Sequence, residues 1–267
     1  MGVPRGRGAG VQSGRADLRR DRGTEPARPR GVRAAVVRRL RPRRDHQALV
    51  VKILCINPNS SASMTGMVAE LARRAAGPCT ELTAVNPAAG PPAIQTIEDE
   101  RDATRQVLAH LKGWRIDDFD AAILACFGDP GLDELRAATT TPVVGIAEAA
   151  MMVASTRGRT FSIVAALESA VPIMTSLAGK YGVGPRLASV RAVGISVLDL
   201  ARGTDEATAV ISEVARAAVT EDGAEAVCLG CASLGPRANA VAAATGVPAL
   251  DGVTCAVKVI EASGPLR

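Results

Sequence analysis

From residue 51 onward, short apolar runs alternate with longer stretches in which Ala, Leu and Val recur at helical spacing. "VVKILCINPNS" (51–61) predicts a buried strand running into a loop, followed by a helix from about Met64 to Ala76. "TELTAVNP" (80–87) predicts a second strand, "GPPAI" (90–94) a loop, and the segment from about Glu98 to Lys112 a long helix. "DAAILACFGDPG" (120–131) predicts a third strand and loop, 132–139 a helix, and "PVVGI" (142–146) a fourth strand. The theme then repeats: "TFSIVAALES" (160–169), a helix near 170–180, "SVRAVGI" (189–195), a helix from about Thr204 to Glu221, "EAVCLGCASLG" (225–235), a helix to about Ala244, and "VPALDGV" (247–253). Strands alternating with helices imply βαβ units and one or two parallel sheets, so the expected fold class is α/β. The five aromatics (Trp114, Phe119, Phe127, Phe161, Tyr181) leave the core to Ala, Val, Leu and Ile, which suits buried parallel strands.

The two stretches of pattern can be laid over one another. A shift of 105 residues sets "DAAILAC" (120–126) on "EAVCLGC" (225–231), and a shift of 106 sets Pro142 on Pro248. The chain reads as two related halves with a cysteine at the same place in each: Cys126 and Cys231. That bears on "CLGC" (228–231), which is spelled like a metal or redox pair. In the overlay Cys228 falls on Ile123, an ordinary buried position, and residues three apart on a strand face opposite ways. Zinc would want further Cys or His ligands, and neither His46 nor His110 stands at such spacing. No metal site is expected, and Cys228 reads as a small core hydrophobe.

Cys126 and Cys231 each close a strand and enter a Gly-containing turn, "CFGDPG" and "CASLGP", with a helix beyond and Pro130 and Pro236 expected in its first turn. Either cysteine alone could be buried filler; the matched pair favours chemistry. Ligands of parallel α/β sheets bind at the carboxyl ends of strands, where helix dipoles are expected to lower a thiol pKa and favour thiolate. A nucleophilic cysteine would want a histidine base, and none is placed for it. Two thiols across one site suit two-base proton transfer, one taking a proton from carbon and the other delivering one to the opposite face, with racemisation as the result. Asn59 reads as a strand-end polar group facing such a site, or as a turn residue. Glu148 and Asp251 follow the fourth strand of each half and could touch substrate or cap turns.

Charge divides the chain unevenly. Residues 1–50 hold 14 Arg against four acids, net +10, while the other 217 hold 18 Lys and Arg against 23 Asp and Glu, net −5. The arginine-rich stretch lacks apolar periodicity and is expected to be a disordered extension, or a translated upstream region ahead of a natural start near Val50 or Val51. No nucleic-acid partner is expected, because the basic residues lie on no folded face. No apolar run approaches the roughly 18 residues of a membrane span, and the N-terminus has no signal-type apolar core. A cytoplasmic setting with reduced thiols is therefore expected for the six cysteines.

"ILCINPNSSASMT" (53–65), "AVNPAAGPPAI" (84–94), "ACFGDPGLDELR" (125–136), "VPIMTSLAGKYGV" (171–183), "LGCASLG" (229–235) and "VPALDGVTCAVK" (247–258) together resemble the hydantoin racemase branch of the aspartate/glutamate racemase superfamily. The resemblance covers residues 51 to about 260. It implies two pseudo-symmetric α/β domains, 51–148 joined by 249–267 and 149–248, with the site between them. It also implies a racemase without a cofactor that acts on 5-monosubstituted hydantoins, with Cys126 and Cys231 as acid and base. By the same resemblance Asn59, Phe127, Gly128, Ala232 and Ser233 hold the substrate, a small molecule. Ser233 and Leu234 depart from the Gly-Met that relatives often carry, which bears on side-chain preference. Allantoin racemase, an aspartate or glutamate racemase, and a non-catalytic metabolite-binding relative stay open, as does a homo-oligomer.

Overall fold

Each apolar run of the sequence becomes a strand, and the polar or Gly-rich stretch after it turns the chain into a helix. In the computed structural model, which describes Gly2 and residues 50–264, the first half contains β1 (Val51–Ile56), α1 (Ala62–Ala75), β2 (Thr80–Val85), α2 (Ile97–Trp114), β3 (Ala121–Leu124), α3 (Leu132–Ala138), β4 (Val143–Gly145) and α4 (Ile146–Arg157). The second contains β5 (Phe161–Ala165), α5 (Val171–Lys180), β6 (Leu187–Ala192), α6 (Val197–Arg202), α7 (Asp205–Thr220), β7 (Val227–Leu229), α8 (Ala238–Thr245), β8 (Ala249–Asp251) and α9 (Gly252–Ser263). The expectations for the arginine-rich stretch lie outside the described residues, apart from Gly2 and Val50 at its ends.

The strands make two four-stranded parallel sheets with one topology, β2-β1-β3-β4 and β6-β5-β7-β8. The registers match as well. Ile56 pairs with Leu124 and Leu124 with Gly145, while Val164 pairs with Leu229 and Leu229 with Asp251. Cys126 and Cys231 thus stand two residues beyond equivalent strand ends. Both faces of each sheet are covered, and side chains alternate between them. Ile53, Cys55 and Ile123 join Phe161, Ile163 and Cys228 in one central cluster, whereas Leu54, Ile56 and Leu124, and separately Val164, Val227 and Leu229, pack on the outer faces. Cys228 is fully buried on the same side as Ile123, and its thiol donates to the Ala150 carbonyl at 3.6 Å.

Helices α4 and α9 bind the two sheets together. They pack on each other; α4 also reaches β7 and β8, and α9 reaches α1, β3 and β4. Neither was marked in the sequence: Ile146, Ala147, Ala149, Ala150, Met151 and Ala154 of α4 are buried, as are Val253, Cys255, Ala256, Val257 and Ile260 of α9, whose Lys258, Ala262 and Ser263 stay exposed. In α4 burial on several sides erases the amphipathic period, whereas α9 keeps one that the sequence reading passed over. Pro130 and Pro236 are also placed differently from expectation. Pro130 precedes the Gly131 N-cap of α3, and Pro236 lies inside a 3-10 segment, Ala232–Arg237, that leads into α8.

Candidate active site

The loops after β1, β3, β5 and β7 enclose a cleft of about 700 Å³, its open mouth included. Cys126 and Cys231 both line it, together with Asn59, Phe127, Gly128 and Ala232. Ser233 does not line the cleft; it is fully buried behind Cys231, its hydroxyl 2.9 Å from the Cys231 Sγ. The two cysteine turns share a construction. The Cys126 carbonyl accepts from Asp129 N–H at 3.0 Å, and the Cys231 carbonyl accepts from Leu234 N–H at 2.9 Å. In each turn the backbone N–H two residues on, at Gly128 or Ser233, donates to the thiol sulfur.

The thiols are not acidified as the helix dipoles led one to expect. Burial pushes both Cys126 and Cys231 above the ordinary thiol value, because the loops of both halves desolvate the charged form more than one N–H stabilises it. The helix argument also lacks its helix: Ala232–Arg237 is 3-10, and α3 begins six residues after Cys126. Both groups therefore rest mainly as thiols near neutral pH.

Asn59 is held by a small polar network. Its Oδ1 accepts from Ser61 N–H and from Asn57 Nδ2, each at 2.9 Å, which orients the amide. The Asn59 Nδ2 then has the Met64 thioether as its partner, at 3.6 Å. Sulfur is a weak acceptor, so this N–H is open to a stronger one in the cleft. Ser61 itself N-caps α1, fixing the loop that carries the network.

Two features of the lining were not read from the sequence. Glu100, in the first turn of α2, is the charged residue of the lining among the described residues, and burial raises its pKa. No strand-end signal pointed to it, since it comes from a helix. An apolar wall of Ile94, Ala166, Leu167, Ile173, Met174 and Val197 completes the cavity. Gln95 spans the cleft from above: its carbonyl accepts from Ser169 Oγ at 3.2 Å and its Oε1 from Val197 N–H at 3.3 Å. Glu148 and Asp251 lie outside the lining. Glu148 pairs with Arg136 at 2.5 Å, and Asp251 caps α9 through Val253 and Thr254 N–H.

The wall behind the cysteines contains a carboxylate exchanged between the halves. In the first, Asp129, at φ 44°, accepts from Ala147 and Glu148 N–H at the start of α4 and from Tyr181 Oη at 2.6 Å. It fits because Gly145 lacks a side chain; a β-carbon there would come 2.4 Å from the carboxyl carbon. In the second half the carboxylate stands at the strand end as Asp251, and the small residue is Gly235 of the cysteine turn, whose β-carbon would meet Asp251 Oδ1 at 2.7 Å. Burial lifts Asp129 to about 6 despite its donors.

A family model described as Asp/Glu/Hydantoin racemase matches residues 53–260. A hydantoin racemase of Rhizobium meliloti is 40% identical over 207 residues, covering 78% of this chain and 86% of its own. Among solved structures, an allantoin racemase from Klebsiella pneumoniae superposes with a TM-score of 0.76 at 39% identity, over 79% of this chain and 86% of that one. An allantoin racemase from Pseudomonas fluorescens gives a TM-score of 0.76 at 36% identity, over 79% and 90%.

Proposed function

The chain belongs to the Asp/Glu/Hydantoin racemase family and is an isomerase, a racemase, and from that premise we propose that it racemises 5-monosubstituted hydantoins by proton transfer between Cys126 and Cys231. The observation that carries this reading is two thiols, in matching turns, lining one cleft whose wall is mainly apolar and, among the described residues, bears no cation. A free amino acid would present a carboxylate to that wall and to Glu100. A hydantoin presents a neutral ring, whose carbonyls can accept and whose N–H groups can donate.

The chemistry follows from the ring. Its C5–H is acidified by the adjacent carbonyl, so no cofactor is required to hold the electron pair. One cysteine, as thiolate, takes the C5 proton; the C–H pair moves into the enolate, and the charge develops on the carbonyl oxygen. A preorganised N–H donor lowers the energy of that state, and Asn59 Nδ2 is a side-chain donor in the lining open for the role. The opposite cysteine, as thiol, delivers its proton to the other face of C5. Phe127, Gly128 and Ala232 shape the cavity around the ring, and Ser233 orients Cys231 from behind.

Allantoin, itself a hydantoin with a polar 5-substituent, is the second reading. Glu100 favours it as an acceptor for ureido N–H groups, whereas the wall formed by Ile94, Met174 and Val197 favours an apolar substituent. The test is incubation in deuterium oxide with single enantiomers of alkyl and aryl hydantoins, allantoin, aspartate and glutamate, following optical rotation and exchange at carbon. Loss of rotation with deuterium entry at C5 is expected for cyclic ureides. Activity on aspartate or glutamate alone would overturn the proposal.

A further inference from the structure

The two cysteine turns match in backbone and differ in charge. Arg237, at the end of the Ala232–Arg237 segment, is only 6% exposed. Its Nη1 donates to the Ser233 carbonyl and its Nη2 to the Leu200 carbonyl at 2.8 Å; among the described residues no carboxylate pairs with it. The charged groups on the elements packed around this segment are engaged elsewhere. On α1, Glu70 pairs with Arg73 and Arg74; on α6, Asp199 pairs with Arg202; on α9, Lys258 pairs with Glu261; and Asp251 of β8 caps α9. A buried cation held by carbonyl dipoles alone favours a negative charge nearby. Cys231 is the group within its electrostatic reach that can carry one.

Cys126 stands in the opposite field. Glu100 and Asp129 both lie within electrostatic reach of it, the first from α2 with its carboxylate against Gly128, the second from the same turn with its carboxylate held by α4 and Tyr181. Each disfavours a second negative charge.

Resting on the reading that both cysteines face one substrate, we propose that, in the minor mono-thiolate form that reacts, Arg237 places the charge on Cys231 and leaves Cys126 as the thiol. The first proton is then taken from the enantiomer whose C5–H faces Cys231. In that turnover a Cys231 S–H bond forms and the Cys126 S–H bond breaks as its proton passes to C5. The negative charge is left on Cys126, beside two carboxylates. The enzyme resets when Cys126 regains a proton and Cys231 gives one up to solvent. Arg237 is a positioning residue here, acting on the sulfur through its charge.

The test is alkylation of the full-length enzyme with iodoacetamide, resolved site by site by peptide mass spectrometry across pH. It needs no substrate, so it stands apart from the choice between hydantoin and other ligands. Cys231 is expected to label faster than Cys126 at neutral pH. Arg237→Gln should slow Cys231 about tenfold, leave Cys126 unchanged, and regain the lost rate when the pH is raised by about one unit. Arg237→Lys should keep the order of the two sites. Faster labelling of Cys126, equal slowing of both sites, or a loss at Cys231 that higher pH does not restore would overturn the proposal. If Arg237→Gln does not fold, the order in the unaltered enzyme and in Arg237→Lys still decides.

Discussion

At the scale of single residues, Cys126, Cys231 and Cys228 separate by position. Cys126→Ser or Cys231→Ser is expected to lower racemisation by about 10²–10⁴-fold, the range of a lost acid–base group, while one enantiomer still exchanges its C5 proton with solvent. Polarimetry read beside deuterium exchange checks this. Cys228→Ser places a hydroxyl in the core beside Ala150 and should cost about 1–3 kcal/mol of stability with kcat unchanged, measured by urea unfolding and by rate. Because burial raises both cleft thiols, the mono-thiolate that the proposed mechanism needs is scarce at neutral pH and grows with pH. A plot of log kcat/KM against pH should therefore climb with a slope of about one from neutral pH upward. The places of the two cysteines were legible, since strand parity and the repeat are local patterns. The direction of their pKa shift was not, because it depends on loops of both halves closing over the sulfurs. Glu100 was missed for the same reason: it reaches the cleft from a helix that no pattern ties to the strand ends.

At the scale of elements, the strands and the amphipathic helices, α9 among them, carry a readable period, and α4 does not. The α4 sequence, "IAEAAMMVASTR", is almost uniformly apolar over its first eight residues because the helix is wedged between the sheets. What fixes α4 is the contact of Asp129 with its first N–H groups, made possible by Gly145. Gly145→Ala is expected to destabilise the protein by about 1–3 kcal/mol, as overpacking does, and to lower kcat by shifting the turn that carries Cys126. Thermal unfolding and steady-state rates would both register it. Gly113→Ala, where a β-carbon meets open space, serves as the control.

At the scale of the whole molecule, the core is continuous through both sheets and holds three cysteines outside the cleft. Burial lifts Cys55 and Cys255 to about 12 and Cys228 well above its usual value. Folded pKa values above the unfolded one mean that these groups stabilise the fold fully below about pH 8.5, and that this stability is lost as pH rises toward 12. Each such thiol should cost up to about 1.4 kcal/mol per pH unit over that window. Urea midpoints should fall steeply above about pH 9, and Cys55→Ala should lessen the slope while lowering stability at neutral pH.

The carboxylate that sits at Asp129 in one half and at Asp251 in the other also limits how such a repeat can diverge. An acid on both sides of either contact would bury two negative charges in room for one, and glycine on both sides would leave helix N–H groups without an acceptor. Neither half can adopt the other's arrangement one substitution at a time without passing through a weaker protein. Each arrangement is held in place by the stability of the half that carries it.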